Sequence, residues 1–306
     1  MAADALSSGE NMVAEVLAAI YRRLPIASGL TRFAFNPVVD RIFQGAPPTL
    51  LARLRDGTPI QVDPQDYHGR ILYLFGSNDI KVAFNCVTLS NLGDVFLDIG
   101  ANYSTIGLAV ARVVGTEGAV HLFEPQNRIA DPVAEAIRTG GYRNVRLHRV
   151  GLLDVDGSFT ISGPAGHSGR ATFVSHEDTE GFVVIQECPV RAIDSYVGPL
   201  VAGRRFGVKI DIEGAEPKVM PWLLAQPNLS FMVFEAAHHQ DALYGAVRQS
   251  GLALYGLDRS LFRFGLTRVD DPGTMRLYHD LLAVRLAPGA AAPAKAEAKI
   301  LRSLMA

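Results

Sequence analysis

"DVFLDIGANYSTIG", residues 94–107, contains the pattern that decides the fold class. The apolar run at 95–97 is typical of a buried strand, and it ends at Asp98 and Gly100. The following "STIGLAVARVVG" has helical spacing and stops at Gly115. A strand, a carboxylate, a glycine and a helix in this order favour a parallel α/β sheet with a ligand site where the strand ends.

The same rhythm continues along the chain. "AVHLFEP", "ADPVAEAIRTGG" and "VRLHRVGL" predict strand, helix and strand, and "FGVKIDIEG", "EPKVMPWLLAQ" and "SFMVFEAAHH" repeat the order. Residues 156–190 interrupt it with pieces that we expect to be antiparallel. The late strands "LALYGLD" and "HDLLAVRL" close the predicted sheet as a hairpin, which leaves a mostly parallel sheet with helices on both faces.

Composition excludes several classes of protein. The 306 residues carry a formal net charge of −2, which argues against an extended nucleic-acid surface. Cys86 and Cys188 are too few for a disulfide framework, and neither has zinc-ligand spacing. No segment has the roughly 18 consecutive apolar residues of a membrane span, so we predict a cytoplasmic protein.

The N-terminal region carries helical spacing from residue 11 to about residue 43. Val13, Val16, Leu17, Ile20 and Leu24 fall on one face. We expect this stripe to dock on the rest of the protein. The alternatives are a partner helix, including that of a second copy in a homodimer, and a membrane surface, which the weakly basic polar face disfavours. Residues 60–62 and 71–74 are short, apolar and strand-like.

Nearly every predicted parallel strand ends in a carboxylate: Asp98, Glu124, Asp154, Asp211 and Glu235. These ends share one edge of the sheet, where open α/β sheets bind ligands. A phosphate-rich ligand would need glycine amides and positive charge at this edge. The carboxylates instead favour hydroxyls, amines or a sulfonium cation.

The loop after the first parallel strand supports this interpretation. Asn102 and Ser104 stand where a dinucleotide-binding G-x-G-x-x-G needs glycine for the pyrophosphate. Glu124 suits the two hydroxyls of a ribose, since charge-assisted hydrogen bonds are strong. A ribose without a pyrophosphate, next to carboxylates, indicates S-adenosylmethionine as the cofactor.

Five motifs together resemble the FkbM-type S-adenosylmethionine-dependent methyltransferases: "VFLDIGANYSTIG", "GAVHLFEP", "VGLLDVDG", "VKIDIEGAE" and "DLLAV". The resemblance covers about residues 56–286, including "VDPQDYHGR". It implies a Rossmann-like class I methyltransferase fold, with a seven-stranded, mostly parallel sheet whose last strand is antiparallel. It also implies methylation of hydroxyl groups on sugars, polyketides or similar metabolites. Two positions depart from the family pattern, with Ser104 in place of a glycine and His167 in place of an asparagine.

The resemblance and the helical pattern divide the chain into three parts. We predict an N-terminal helical extension at residues 1–58, a methyltransferase domain at 59–287 and an Ala/Pro-rich, disordered tail at 288–306.

The candidate site residues follow from the strand ends. We assign the cofactor to Asp98, Gly100, Asn102, Tyr103, Ser104, Glu124 and Asp154. Asp211 and Glu213 lie two apart and face the same way if the strand continues, so they could orient an acceptor hydroxyl, act as general base or bind Mg²⁺. His238 is a further candidate base, because an imidazole titrates near neutral pH.

Three functions compete at this point. The first is O-methylation of a small hydroxylated acceptor, with N-methylation of an amine as its closest variant. The second is a nicotinamide-dependent oxidoreductase, which the missing loop glycines argue against. The third is a binding or scaffold protein on a degenerate methyltransferase fold, which Ser104 favours and the remaining carboxylates oppose.

Overall fold

The computed structural model describes residues 8–173, 181–258 and 260–286; for residues 8–11 it describes the backbone alone. The tail predicted to be disordered, residues 288–306, lies outside these ranges. The strands are β1 Leu50–Arg53, β2 Pro59–Val62, β3 Val95–Ile99, β4 Ala119–Phe123, β5 Val145–His148, β6 Gly151–Leu153, β7 Gly157–Gly163, β8 Val183–Ala192, β9 Phe206–Ile210, β10 Leu229–Glu235, β11 Ala253–Leu257, β12 Leu266–Arg268 and β13 Asp280–Val284. The helices are α1 Ser8–Tyr21, α2 Leu30–Ala34, α3 Pro37–Phe43, α4 Tyr67–Phe75, α5 Ile80–Leu89, α6 Thr105–Val114, α7 Asn127–Thr139, α8 Ile193–Val201, α9 Glu216–Leu224, α10 Gln240–Ser250 and α11 Pro272–Met275, with a 3₁₀ turn at Ser168–Arg170.

The central sheet has the strand order β12-β11-β13-β10-β9-β3-β4-β5. Strands β10, β9, β3, β4 and β5 are parallel, and the late strand β13 lies antiparallel between β10 and β11. The predicted α/β fold with an antiparallel last strand is therefore confirmed. The short edge strand β12 adds an eighth strand to the expected seven.

Both faces of the sheet are covered, which explains the continuous apolar runs in its strands. All five residues of β3 are buried. Phe96 contributes to one hydrophobic core, whereas Val95 and Leu97 contribute to the other. Alternate residues of a strand point to opposite faces, so a parallel sheet between two helical layers needs apolar residues at every position.

The N-terminal helix α1 docks through only part of the face that the sequence predicts. Leu17 and Leu24 of the predicted stripe pack against the hydrophobic core, whereas Val13, Val16 and Ile20 are 47%, 54% and 51% exposed. The docking of the stripe is therefore confirmed for two of its five residues and wrong for the other three. Ala14 and Ala18 are buried in their place, because small side chains let the helix backbone approach its neighbours closely.

Residues 71–74 lie in helix α4 and not in the expected strand. Asp66 caps the helix by accepting hydrogen bonds from the backbone N–H groups of His68 and Gly69, both at 3.1 Å. Every residue from 69 to 75 is buried, so the segment has no polar face and no readable helical period. Such a short apolar run cannot be distinguished from a buried strand by periodicity alone.

The first hairpin joins the N-terminal segment to the main fold. Strands β1 and β2 pair antiparallel, so the predicted limit between residues 58 and 59 falls within this hairpin. Phe43 and Ile60 belong to the same hydrophobic core as Phe96 of the central sheet. The division into an extension and a domain stays a prediction.

A small second sheet positions one loop of the site. Strands β7 and β8 pair antiparallel, as expected for residues 156–190, and β6 joins β8 in parallel. The loop that follows β7 reaches the start of α4, where the backbone N–H of Tyr67 donates to the carbonyl of Gly166 at 2.8 Å. Within the described ranges, no helix has the length and apolar character needed to cross a lipid bilayer.

Candidate functional site

The carboxyl ends of β3, β4, β9 and β10 meet at one edge of the sheet, and two cavities open there. The first cavity has an empty volume of about 570 Å³, open solvent at its mouth included, and lies against the ends of β3 and β4. Its walls are apolar at Phe123, Val150, Leu152, Ile161, Phe173, Ile212 and Ala215. No lysine or arginine lines this cavity among the described residues, so it contains no cationic group for a phosphate.

Gly100 brings the backbone of β3 against that of β9. Its φ is 73°, and a Cβ atom at this position would lie 1.8 Å from the carbonyl oxygen of Asp211. Only glycine fits such an approach. The next residues also adopt left-handed conformations, with φ of 47° at Asn102 and 57° at Ser104. Asparagine tolerates this conformation better than serine, whose presence at 104 marks local strain.

Glu124 is held from both sides by backbone groups. One carboxylate oxygen accepts a hydrogen bond from the Asn102 N–H at 2.9 Å, and the other accepts from the Gln126 N–H at 2.8 Å. Burial raises the pKa of Glu124 to about 7, although these two N–H groups act in the opposite direction. Each oxygen keeps a lone pair for a further donor, so the carboxylate can still receive two ligand hydroxyls.

Gln126 adds a second acceptor beside Glu124. It lines the first cavity and is only 3% exposed. Its side-chain amide donates to the carbonyl of Ser168 at 3.0 Å, whereas its Oε1 atom is buried without a hydrogen-bond partner. A buried acceptor without a partner carries a free-energy cost, which a ligand hydroxyl or amine in this cavity would remove.

Lys209 connects the ends of β3 and β9 and was not predicted from the sequence. Its ammonium group donates to the carbonyl of Gly100 at 2.6 Å and lies 3.6 Å from Asp98 and 3.5 Å from Asp211. Burial lowers the pKa of Lys209, but the two carboxylates outweigh it and raise the pKa overall. The lysine therefore stays charged and fixes the carboxylates around it.

A cluster of three carboxyl groups lies beyond Lys209. Asp211, Glu213 and Glu235 each offer an oxygen, and these oxygens lie within 4.8 Å of one another. Burial, followed by repulsion from Asp211, raises the pKa of both Glu213 and Glu235. Glu235 also contacts His279, whose Nε2 lies 2.8 Å away. The cluster is therefore ready to hold a proton or a cation.

The second cavity contains this cluster and has an empty volume of about 2210 Å³, including its open mouth. The N-terminal segment at residues 27–32 forms one side of it. Charged and aromatic polar groups dominate the rest of its lining, among them Tyr67, Lys81, His167, Arg170, Lys209 and His279. Such a lining suits a small acceptor that carries several hydrogen-bonding groups.

A buried chain of hydrogen bonds ties three loops together between the two cavities. Asp66, which is fully buried, accepts from the backbone N–H of Ser168 at 2.7 Å and from its hydroxyl at 2.8 Å. The Asn102 side-chain amide donates to the same hydroxyl at 3.0 Å. The segment before α4, the β3 loop and the loop before the 3₁₀ turn are thus held as one unit.

The structure brings only some of the predicted site residues together. Gly100, Asn102 and Glu124 line the first cavity, Glu213 and His238 line the second, and Asp211 and Asn102 line both. His167, where the family pattern has asparagine, also lines the second cavity and stacks on Tyr67 at a centroid distance of 4.3 Å.

The other predicted residues line neither cavity. Asp98 accepts a hydrogen bond from the Gly107 N–H at 2.9 Å, so it fixes the start of α6 against β3. Tyr103 is buried and its hydroxyl accepts from the Asp63 N–H at 3.4 Å. Ser104 is fully buried. Asp154 lies outside, half-exposed, in an ion pair with Lys218.

Sequence reasoning missed three residues that the geometry places at the site: His68, Gln126 and Lys209. Lys209 had a readable signal, since a lone lysine inside the apolar run "FGVKI" must find a buried partner. His68 and Gln126 had no comparable signal, because each lies in a polar stretch of ordinary loop composition.

No family model matches the chain, and no curated protein matches it. Several solved structures match the chain. A fibrillarin from Aeropyrum pernix with natively bound S-adenosyl-L-methionine is 12% identical, and the match covers 78% of this chain and 94% of that one, with a TM-score of 0.36. An S-adenosylmethionine-dependent O-methyltransferase from Thermotoga maritima is 10% identical over 81% of this chain and 82% of that one, with a TM-score of 0.36.

A precorrin-6Y C5,15-methyltransferase from Geobacter metallireducens is 11% identical over 69% of this chain and 92% of that one, again with a TM-score of 0.36. At TM-scores of 0.36 these likenesses do not by themselves define the fold. The chain has a Rossmann-like class I methyltransferase fold, which its own strand order defines.

Proposed function

We propose that this protein is an S-adenosylmethionine-dependent methyltransferase of the FkbM type that methylates a hydroxyl group of a small acceptor. The observation that carries the proposal is the position of Glu124. Its carboxylate ends β4, lines the first cavity and is oriented by the backbone of the β3 loop. A carboxylate held in this way suits the two adjacent hydroxyls of a ribose.

The remainder of the first cavity also fits S-adenosylmethionine. Its apolar walls, including Phe123, Leu152 and Phe173, suit a flat adenine ring. The absence of lysine and arginine from its described lining disfavours a pyrophosphate, and thus a nicotinamide dinucleotide. Asp211, where the first cavity meets the second, provides negative charge for the sulfonium end of the cofactor.

When bound, S-adenosylmethionine would supply an activated methyl group. The residues of this chain then have to position the two reactants, because orientation supplies much of the acceleration in such displacements. Lys209 keeps Asp211 and the Gly100 carbonyl in place, and Asn102 holds the β3 loop through Ser168. The polar second cavity supports a sugar, glycoside or polyketide-type acceptor with several hydroxyls.

Binding of Mg²⁺ at the carboxyl cluster is suggested by the sequence and stays a prediction. Asp211, Glu213 and Glu235 supply the hard oxygen ligands that Mg²⁺ prefers. The neighbouring Lys209 and the raised pKa values of the two glutamates provide another way to balance the same charges, without a metal. Turnover with added Mg²⁺ and with a chelator would separate these two arrangements.

The test is transfer of label from methyl-tritiated S-adenosylmethionine to a panel of acceptors. Methyl α-D-glucopyranoside, methyl α-L-rhamnopyranoside and catechol represent hydroxyls of different acidity, and benzylamine represents an amine. We expect label in a hydroxyl product, and far less with Glu124→Gln than with Arg138→Ala, which alters an exposed residue. Label only in the amine product would contradict O-methylation.

The same assay separates the competing functions. Reduction of NAD⁺ during incubation with the hydroxylated compounds would favour the oxidoreductase. Tight binding of S-adenosylhomocysteine without transfer to any compound, over a broad panel, would favour a scaffold on a degenerate methyltransferase fold.

A further inference from the structure

The two cavities meet at three residues, and the proposed function assigns no task to one of them, His68. His68, Asn102 and Asp211 line both cavities. Asn102 is engaged with Ser168, and Asp211 lies beside Lys209. If the cofactor occupies the first cavity and the acceptor the second, the methyl group must cross at this junction. A side chain that lines both cavities lies beside the reacting atoms.

The imidazole of His68 is held at the junction by several contacts. His68 occupies the first turn of α4, where its backbone N–H donates to Asp66. Gly169 packs directly against the ring, since a Cβ atom there would lie 2.0 Å from the His68 Cε1 atom. Tyr67 and His167 lie beside it, with ring centroids 5.2 and 5.4 Å away. Any larger residue at position 169 would displace the ring.

The Nδ1 atom of His68 is buried and has no hydrogen-bond partner among the described residues. Buried polar atoms without a partner are rare in folded proteins, and catalytic roles are among their explanations. An imidazole that structure alone required would be expected to use both nitrogens. This observation indicates that the Nδ1 atom of His68 is available to hydrogen-bond a ligand.

Resting on the function proposed above, we propose that His68 is the general base of the methyl transfer. In this step the S–CH₃ bond breaks and its electron pair stays on sulfur, while the acceptor oxygen forms the O–CH₃ bond. The hydroxyl proton passes to a ring nitrogen of His68, and the imidazolium then releases it to solvent. His238 lines only the second cavity, so it is less well placed for this proton.

The surroundings of His68 keep the imidazole neutral and able to accept a proton. Burial lowers its pKa and is the largest cause; Asp66, Asp211 and a hydrogen bond with the Asn102 side chain act in the opposite direction, and Lys209 adds to the lowering. The start of helix α4 also disfavours a positive charge. The titratable and charged groups that face the ring from the elements around it are Asp66, Tyr67, His167, Lys209 and Asp211.

A test independent of turnover uses two cofactor analogues and histidine NMR. S-adenosylhomocysteine is uncharged at sulfur, whereas sinefungin carries an ammonium group at the position of the transferred methyl. We expect the pKa of His68 to be lower by about 1 or more in the sinefungin complex, because two positive charges repel at short range. Spectra of His68→Gln assign the signal, and His121 and His148, which line neither cavity, are internal references.

The outcomes separate this inference from the proposed function. If both analogues bind and the pKa of His68 is the same in the two complexes, His68 is not at the methyl position and the inference is wrong. If neither analogue binds to the folded protein, the proposed function itself fails, and the role of His68 fails with it.

Kinetics provide a second, independent measurement. With a hydroxyl acceptor that the wild type turns over, His68→Gln should lower kcat by about 10²- to 10⁴-fold. His68→Gln should still bind S-adenosylhomocysteine in calorimetric titration, which shows that the variant is folded, and kcat is compared at saturating S-adenosylmethionine. Undiminished kcat in His68→Gln would contradict a general-base role.

Discussion

The Glu124 carboxylate performs two tasks at once, since it orders the β3 loop and remains open towards the first cavity. Its pKa of about 7 makes the second task sensitive to pH. Only the ionised form offers charge-assisted hydrogen bonds to a ribose. Ligand binding should therefore follow the titration of this residue.

We expect the affinity for S-adenosylhomocysteine to rise from about pH 6 to about pH 8, because Glu124 loses its proton over this range. In Glu124→Gln the affinity should fall by about 10- to 100-fold at pH 8, and its rise with pH should disappear. Isothermal titration calorimetry at several pH values measures both effects. Equal affinity of the wild type at all of these pH values would contradict the assignment.

Lys209 should stabilise the fold more than any exposed ion pair. Lys209→Met leaves Asp98 buried beside an apolar group, and we expect it to lower the free energy of unfolding by about 3 kcal/mol. Lys218→Met removes the exposed pair with Asp154 and should cost less than about 1 kcal/mol. Urea unfolding compares the two variants. Equal losses would show that the buried network contributes no special stability.

Individual residues were predictable to the extent that their neighbours in sequence define their environment. Glu124 and Asp211 follow apolar strands directly and Asp98 lies at the end of one, so the sequence places all three near one edge of the sheet. The contact of Lys209 with Asp98 spans 111 residues, and no local pattern encodes such a pair. Asp154 was predicted at the site because it follows a strand, but it lines neither cavity.

At the scale of elements, the contact between β3 and β9 depends on the missing side chain of Gly100. Gly100→Ala would force a Cβ atom onto the Asp211 carbonyl in addition to imposing a left-handed alanine. We expect a loss of about 3 kcal/mol in unfolding free energy. Gly93→Ala, with a φ of 84° and nothing within 4 Å of the added atom, should lose about 1 kcal/mol. Equal losses would mean that the close approach is relaxed in solution.

Most strands and helices were predictable, whereas the short buried helix α4 was not. The strands of the parallel sheet and the helices between them follow from apolar runs and glycine stops. Helix α4 has no polar face, and its cap by Asp66 also depends on a loop about 100 residues away. His68 could therefore not be placed at the site before the fold was known.

For the whole molecule, the exposed apolar residues of α1 offer a surface for the homodimer that the sequence analysis leaves open. Met12, Val13, Val16 and Ile20 are between 47% and 63% exposed, and contiguous exposed apolar residues often mark an interface.

We expect sedimentation velocity to show a dimer for the wild type and a monomer for Val16→Glu. Val38→Glu adds the same charge to an exposed residue of α3, outside the stripe, and should stay dimeric. Both variants should bind S-adenosylhomocysteine like the wild type, because no described residue of α1 or α3 lines the first cavity. A monomeric wild-type protein would contradict the proposed dimer.

In the proposed function, the first cavity binds the adenosyl and methionine parts of S-adenosylmethionine through Glu124. Calorimetric titration with S-adenosylhomocysteine, with NAD⁺ as the control ligand, tests it most directly. We expect binding of S-adenosylhomocysteine with a Kd of about 1–100 µM, strongly weakened in Glu124→Gln, and no binding of NAD⁺. A folded protein that binds NAD⁺, or binds neither ligand, would contradict it.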